Sequence, residues 1–399
     1  MKRVYIGLVL SSLLFVGCTD LIADLSDRLI VTVVDIVFGS GDDSSDEVKD
    51  DFTAEIVIPT NELWYTSTDG EIIEPSQYAE YAGYGENFDV DIISNTYENG
   101  KGVITFDGDV TTINDYAFKS NYRLKSVVIP NKVTRIGDEA FGECDYLESV
   151  AIPYSVEEIG ADAFLWPVSL KEFRGKYASA DGRCLIKDDT IIAYAYGSGV
   201  NFTIPRGVKY IPDDAFSMCE SLKGVTLPDG LECIGAQAFC ETSITCVRIP
   251  DSVISMGMSV FAGCQNLEKF TGKYASRDFS SLIIDERLNS FALASGITDY
   301  TVPYYVTSID DWAFMGCSSL KSVTIQESMS HIGEGSLCDC ENLSAIYCKA
   351  PTPPIGGEDM FANNAPECKI YVPAASVEAY KNAEFWSDYA DAIVGYDFE

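Results

Sequence analysis

The groups in this chain that could do chemistry are 13 cysteines, one histidine and 62 carboxylates, spread over 399 residues. With His331 alone, Ser-His-Asp and Cys-His catalysis and His-rich zinc sites are excluded unless that residue supplies them. It directly precedes Ile332, where equivalent segments carry Arg135, Glu158 or Tyr210, and it reads as a solvated side chain. The cysteines are more regular. Cys144, Cys219, Cys264, Cys317 and Cys340 recur in one register, where other segments carry Asn121, Pro167 and Thr242. A small group that can bond a neighbouring carbonyl suits a buried ladder, and side chains stacked in parallel point the same way, which disfavours disulfides. Cys338, Cys340, Cys348 and Cys368 form a further set, open to a metal, a local disulfide or free thiols, although they lack paired C-x2-C spacing. No phosphate loop, nucleophile motif or paired acid–base constellation occurs, so neither an enzyme nor a cofactor is expected.

Charge narrows the partners. Lys plus Arg is 27 and Asp plus Glu is 62, so the formal charge is 27 − 62 = −35. Such a surface repels phosphate backbones and anionic lipid, which excludes nucleic acid. At 47% hydrophobic the chain can still bury a large core. Aromatic residues are the other candidates: Tyr177, Tyr194, Tyr196, Tyr274 and Phe291, then Tyr300, Tyr304, Tyr305 and Trp312. Tyrosine and tryptophan give rigid contact area and suit sugar stacking. The alternative is that these rings close small local cores.

The elements that must position these groups come from a repeat. From about residue 100 to 350 the template Ile-Pro-x-x-Val-x-x-Ile-Gly-x-x-Ala-Phe-x-x-Cys-x-x-Leu-x-x-Val returns, clearest at Ile129-Pro130, Val133, Ile136-Gly137, Ala140-Phe141, Cys144, Leu147 and Val150. Its aromatic column reads Phe118, Phe141, Phe164, Phe216, Phe239, Phe261 and Phe314, with adjacent copies 22 or 23 residues apart. That period means a solenoid whose coils bury their apolar faces on one another. Val150 and Ile152 alternate with Ser149 and Ala151 as a short strand, Pro153 ends it, and Gly160 lets the chain turn. Two copies are interrupted by related insertions at about 174–203 and 271–301, each with two strand-like runs, expected as hairpin excursions rejoining at Pro205 and Pro303.

Residues alternating with the core columns must face outward: Ser126 and Val128, Ser149 and Ala151, Gly224 and Thr226, Cys246 and Arg248, Ser322 and Thr324, Ala345 and Tyr347. Arg248 alone among these is charged, so a small, nearly neutral strip is framed by acid. Thr226, Arg248, Thr324 and Tyr347 on this strip are the candidate binding residues, with Tyr177, Tyr194, Tyr274 and Tyr305 as a rim.

The start of the chain reads as an address. Met1-Lys2-Arg3 is basic, Val4 to Val16 is apolar but too short to span a bilayer, and Leu14-Phe15-Val16-Gly17-Cys18 follows. This resembles the lipobox of bacterial lipoproteins, which implies cleavage after residue 17 and lipidation of Cys18. Residues 18–51 then hold an amphipathic segment and the acidic linker Gly39–Glu47, where like charges read as solvated chain rather than a calcium loop.

The recurring Ile-Pro, Ile-Gly, Ala-Phe and Cys resemble the BspA-like leucine-rich repeat family of bacterial surface proteins. That resemblance implies a leucine-rich-repeat solenoid with one parallel sheet, short β, 3-10 or helical segments opposite, and the two insertions. It also implies an N-terminal β capping module at 52–100, which holds Trp64-Tyr65-Thr66-Ser67-Thr68-Asp69-Gly70. Repeats follow at 101–350, then a degenerate repeat and C-terminal cap at 351–399, including Tyr371-Val372-Pro373. The expected role is a lipid-anchored outer-membrane protein that adheres, without catalysis, to a protein partner such as a host or matrix protein. The alternative is capture of a glycan or peptide for uptake.

Overall fold

The structure is a computed structural model that describes residues 58–78 and 85–398; the signal segment, Cys18 and the acidic linker lie outside the described residues. It is a solenoid of stacked coils with a parallel ladder on two of its sides. The first ladder is built from the outward-alternating strands: Ser126 lies beside Ser149, and Ser149 beside Glu172, in unbroken register. The second uses two-residue strands such as Arg135–Ile136 and Glu158–Ile159, just before the Ile-Gly glycine. On the third side the Ala-Phe turns also bond coil to coil: Phe118 N–H donates to the Ala140 carbonyl and Phe141 N–H to the Ala163 carbonyl. Backbone groups that no helix satisfies are thus paired with the neighbouring coil.

The aromatic column is stacked as expected. Phe118, Phe141 and Phe164 lie 5.3 and 5.5 Å apart at 9° and 4°, and Phe216, Phe239 and Phe261 repeat this at 4.9 and 5.3 Å. The cysteine column serves as a ladder of thiol donors. Cys144 Sγ donates to the Phe118 carbonyl at 3.1 Å, Cys264 to Phe239 at 3.1 Å and Cys340 to Phe314 at 3.2 Å. Where the column has Thr242, its hydroxyl bonds the Phe239 carbonyl at 2.9 Å.

The Ile-Gly glycines differ from expectation. Gly137, Gly160 and Gly235 do not have positive φ; each is needed because a Cβ would lie under 3.0 Å from backbone of the preceding coil. The left-handed positions fall instead on side-chain-bearing residues such as Glu139 and Glu143. An aspartate in the previous coil fastens each crossing: Asp115 accepts from Asp138 N–H, Asp138 from Ala161 N–H and Asp213 from Ala236 N–H.

The insertions are hairpins, Cys184–Lys187 with Thr190–Tyr194 and Ser281–Ile284 with Arg287–Phe291. They are not excursions from the coil. The second strand of each pairs in parallel with the second ladder, at Tyr210 and at Ser308–Ile309, so each hairpin is built into the stack. Each also marks a joint between apolar clusters, which run from Leu63 to Ala195, from Cys184 to Ala292 and from Leu288 to Ile393. At the N-terminal end Glu62–Ser67 lies antiparallel on Leu124–Val128. At the C-terminal end Ile393–Tyr396 adds a last parallel strand to Lys369–Pro373 over buried Tyr380 and Trp386.

Candidate binding face

The outward positions of the first ladder form one strip with three different surroundings. At its N-terminal end Val128 and Ala151 point out of the solenoid but are buried under Ile58 and Trp64, with Val103 packed alongside. Ser126 is likewise covered, its hydroxyl 2.6 Å from that of Thr66. The expectation that these residues form an open strip is corrected here: Ile58 and the side chains of Trp64 and Thr66, on the strand that extends the sheet beside them, cover them.

In the middle the strip opens. Gly224–Thr226 pairs with Asn201–Thr203, and Cys246–Ile249 with Lys269–Gly272, but no ladder joins the two pairs. The break coincides with a short turn: Thr242 and Ile244 are two positions apart where Cys144 and Leu147 are three apart. Val225 is accordingly only half-buried, although its partner in register, Phe202, is buried, as is Val247 on the far side of the break. A groove of about 900 Å³ lies here, with Thr226 and Arg248 among its walls together with Arg206, Asp229 and Lys269. Arg248 is 3.6 Å from the carboxylate of Asp229, itself 96% exposed. Among the described residues neither Arg206 nor Lys269 has a salt-bridge partner.

The C-terminal end is aromatic. Thr324, half-buried, lies in register with Tyr347, and Tyr347 with Tyr371. The rings of Tyr347 and Tyr371 stack at 4.8 Å and 13°, and Tyr396 meets both edge-on at 5.7 and 5.6 Å. Sequence reasoning named Tyr347 and missed the other two. Their spacing from Tyr347 departs from the 23-residue period, which hid the column.

The rim tyrosines divide. Tyr194 is 1% exposed and packs on Phe202 and Phe216, so the expectation that it contacts a partner is corrected: the hairpin turns it into the core. Tyr177 and Tyr274 occupy equivalent half-buried places, their hydroxyls donating to the Val156 and Val253 carbonyls at 3.3 and 3.2 Å. They brace the insertions against the previous coil. Tyr305 stays open at 46% exposure beside Tyr304 at 80%, their rings 5.6 Å apart.

A family model described as the BspA type leucine-rich repeat region matches in six copies over residues 99–176, 191–283 and 287–387. The chain belongs to this family. Similar solved structures include a leucine-rich cell surface protein from Faecalibacterium prausnitzii A2-165, 24% identical over 79% of this chain and 89% of that one, with a TM-score of 0.47. Others are a leucine-rich repeat protein from Bacteroides ovatus ATCC 8483 (23% identity, 77% and 92% covered, TM-score 0.37) and the pneumococcal vaccine antigen PcpA (15%, 77% and 88%, 0.38). No curated protein matches.

The buried column thiols of this BspA-type solenoid are poor nucleophiles. Burial pushes Cys144 up to about 12 and Cys264 up to about 11, against the hydrogen bonds that favour thiolate, and it raises Cys340 as well. The twelve cysteines among the described residues are free, and Cys348 meets the Tyr380 hydroxyl at 3.3 Å. No group of three or more His, Cys, Asp or Glu is placed to hold a metal among the described residues. His331 is exposed on its two-residue strand. Among the described residues no helix is long and apolar enough to cross a membrane.

Proposed function

We propose that this protein is a non-catalytic cell-surface lipoprotein that binds a protein partner along the open part of the outward strip, from Thr226 and Arg248 through Thr324 to Tyr347. The observation that carries the reading is the contrast along that strip. Its N-terminal third is roofed by the protein's own Trp64 and Ile58, while the rest presents small and aromatic side chains without a cover. Small side chains leave room for a close, shape-matched contact, and exposed tyrosines supply the anchors that dominate interfaces. Host or matrix proteins are the partners this reading favours, with Tyr304 and Tyr305 as a rim. The test is a panel of matrix proteins set against a glycan array. A Thr226→Arg/Thr324→Arg variant with an unchanged melting curve loses the partner; unchanged affinity removes the strip from consideration.

Capture of a glycan is the second reading, and the Tyr347–Tyr371–Tyr396 cluster favours it, because tyrosine rings suit sugar stacking; Tyr396 is exposed, and Tyr347 and Tyr371 are half-buried against each other. A glycan hit abolished by Tyr371→Ala, with no protein hit, selects this alternative. Anchoring in the outer membrane through acylated Cys18 completes the proposal, each buried methylene contributing roughly 0.8 kcal/mol. Cys18→Ala then moves the protein to the soluble fraction; a mutant still in salt-washed membranes contradicts the anchor.

A further inference from the structure

We infer that the groove where the first ladder parts binds an extended acidic peptide segment of the partner; this rests on the reading that the outward face is a binding surface. The first ground is charge. Arg206, Arg248 and Lys269 line the groove with Asp229 as the one carboxylate, a local balance of 3 − 1 = +2 in a chain of −35. Cations drawn together on an otherwise acidic surface attract a carboxylate-bearing guest and turn away basic ones. Asp229 holds Arg248 at 3.6 Å from a side chain 96% exposed, a contact that a competing carboxylate can replace at little cost.

The second ground is the backbone. Beyond the Thr245 N–H bond to the Lys223 carbonyl at 3.1 Å, no ladder pairs the facing edges of Gly224–Thr226 and Cys246–Ile249. An extended peptide offers the complementary main-chain groups, and the alternation of its side chains matches a strand-built wall. Val225, half-buried here, leaves apolar surface on the groove floor for alternate small side chains.

The third ground separates peptide from acidic glycan. None of the residues lining the groove is aromatic, whereas the sugar-stacking surface on this face lies at Tyr347, Tyr371 and Tyr396. An acidic sugar would find the charge but not the rings.

The experiment uses the purified chain and a fluorescein-labelled decapeptide alternating Glu and Thr, against the same peptide with Gln or Lys for Glu. The Glu peptide binds at least about tenfold more tightly than the Gln peptide, and its affinity falls as salt is raised. Arg248→Glu/Lys269→Glu weakens it about tenfold or more, while Tyr122→Ala/Tyr146→Ala, exposed rings outside the binding face, leaves it unchanged. Melting curves equal to the parent's establish that the variants are folded. Equal binding of the Glu and Gln peptides, or no response to charge reversal, overturns the inference. So does displacement of the peptide by oligogalacturonate at lower concentration than by unlabelled peptide. The two readings fail separately: if Thr226→Arg/Thr324→Arg abolishes a matrix-protein hit while charge reversal does nothing, the binding face stands and its acidic partner does not.

Discussion

Gly235→Ala is the sharpest test of how this chain holds its coils together. If the Ile-Gly glycine served only to loosen the backbone, alanine would stabilise the protein. Its φ is not positive, and Gly→Ala at a compatible position gains about 0.4–1 kcal/mol through the unfolded state. The structure predicts the opposite sign. A Cβ on Gly235 would lie under 3.0 Å from the Asp213 nitrogen, the Pro212 carbonyl carbon and the Asp213 carboxylate. Two of these are backbone and have no rotamer to escape into. The coils must part, which weakens the Gly235 N–H bond to the Ile211 carbonyl at 2.8 Å and the Ala236 N–H bond to Asp213 at 2.6 Å. Overpacking costs roughly 1–3 kcal/mol and each of the two weakened hydrogen bonds about 0.5–1.5, so the total is about 2–6 kcal/mol. Gly230→Ala is the internal control: nothing lies within 4 Å of its added Cβ and its φ is not positive, so it gains about 0.4–1 kcal/mol. Urea denaturation followed by circular dichroism compares the two. Because a solenoid need not unfold in one step, hydrogen exchange at Gly235 and Ala236 supplies the local reading. A Gly235→Ala protein as stable as the parent refutes the close-approach argument.

Phe239, fully buried between two stacked rings, loses both on Phe239→Ala and costs about 3–5 kcal/mol, whereas exposed Glu241→Ala stays within about 0.5; equal urea midpoints contradict the column. Asp310 is 5% exposed and burial raises its carboxyl to about 6, against the Arg287 and Asn289 contacts at 2.6 and 2.9 Å that favour the charged form. A carboxyl raised above its unfolded value of 3.8 destabilises the fold as pH climbs from about 4 through about 6. The stability of the parent minus that of Asp310→Asn therefore falls by about 2–3 kcal/mol between pH 4 and pH 7, read from urea midpoints, while a rise across that range shows the ion pair outweighing burial.

The columns were legible because each is a demand repeated at one spacing: Phe141, Cys144 and Leu147 meet the same neighbours as Phe239, Thr242 and Ile244. What escaped the sequence lies where that repetition stops. A turning role for Gly160 misses its purpose because close approach between coils is a contact across a period, invisible within one. The left-handed residues Glu139 and Glu143 carry side chains, so no glycine marks them. The roof of Trp64 over Val128 and Ala151 comes from an antiparallel strand outside the repeat. The insertion that carries Tyr194 resembles a protruding hairpin in sequence, whereas the parallel pairing of its Thr190 with Tyr210 draws the hairpin, and Tyr194 with it, into the stack. The parting of the ladder did leave a trace, the missing residue between Thr242 and Ile244, which the steady aromatic column masks.

A stack of this kind separates the task of folding from the task of recognition. Inward positions must satisfy two neighbouring coils at once, so they repeat. Outward positions answer only to adjacent strands and to solvent, so each coil is free to differ without cost to the next. The three surroundings along this strip use that freedom in different ways. The N-terminal coils spend their outward residues on sealing the end of the sheet against another strand, as Trp64 and Ile58 do. The middle coils gather cations at a break in the ladder, and the last coils stack tyrosines. Because the basic groove and the tyrosine cluster lie on separate apolar clusters, with the second insertion at the joint, a change at one need not be felt at the other. Under the proposed function, a partner touching both would meet two separate stations, whose free energies add apart from the contribution of linking them.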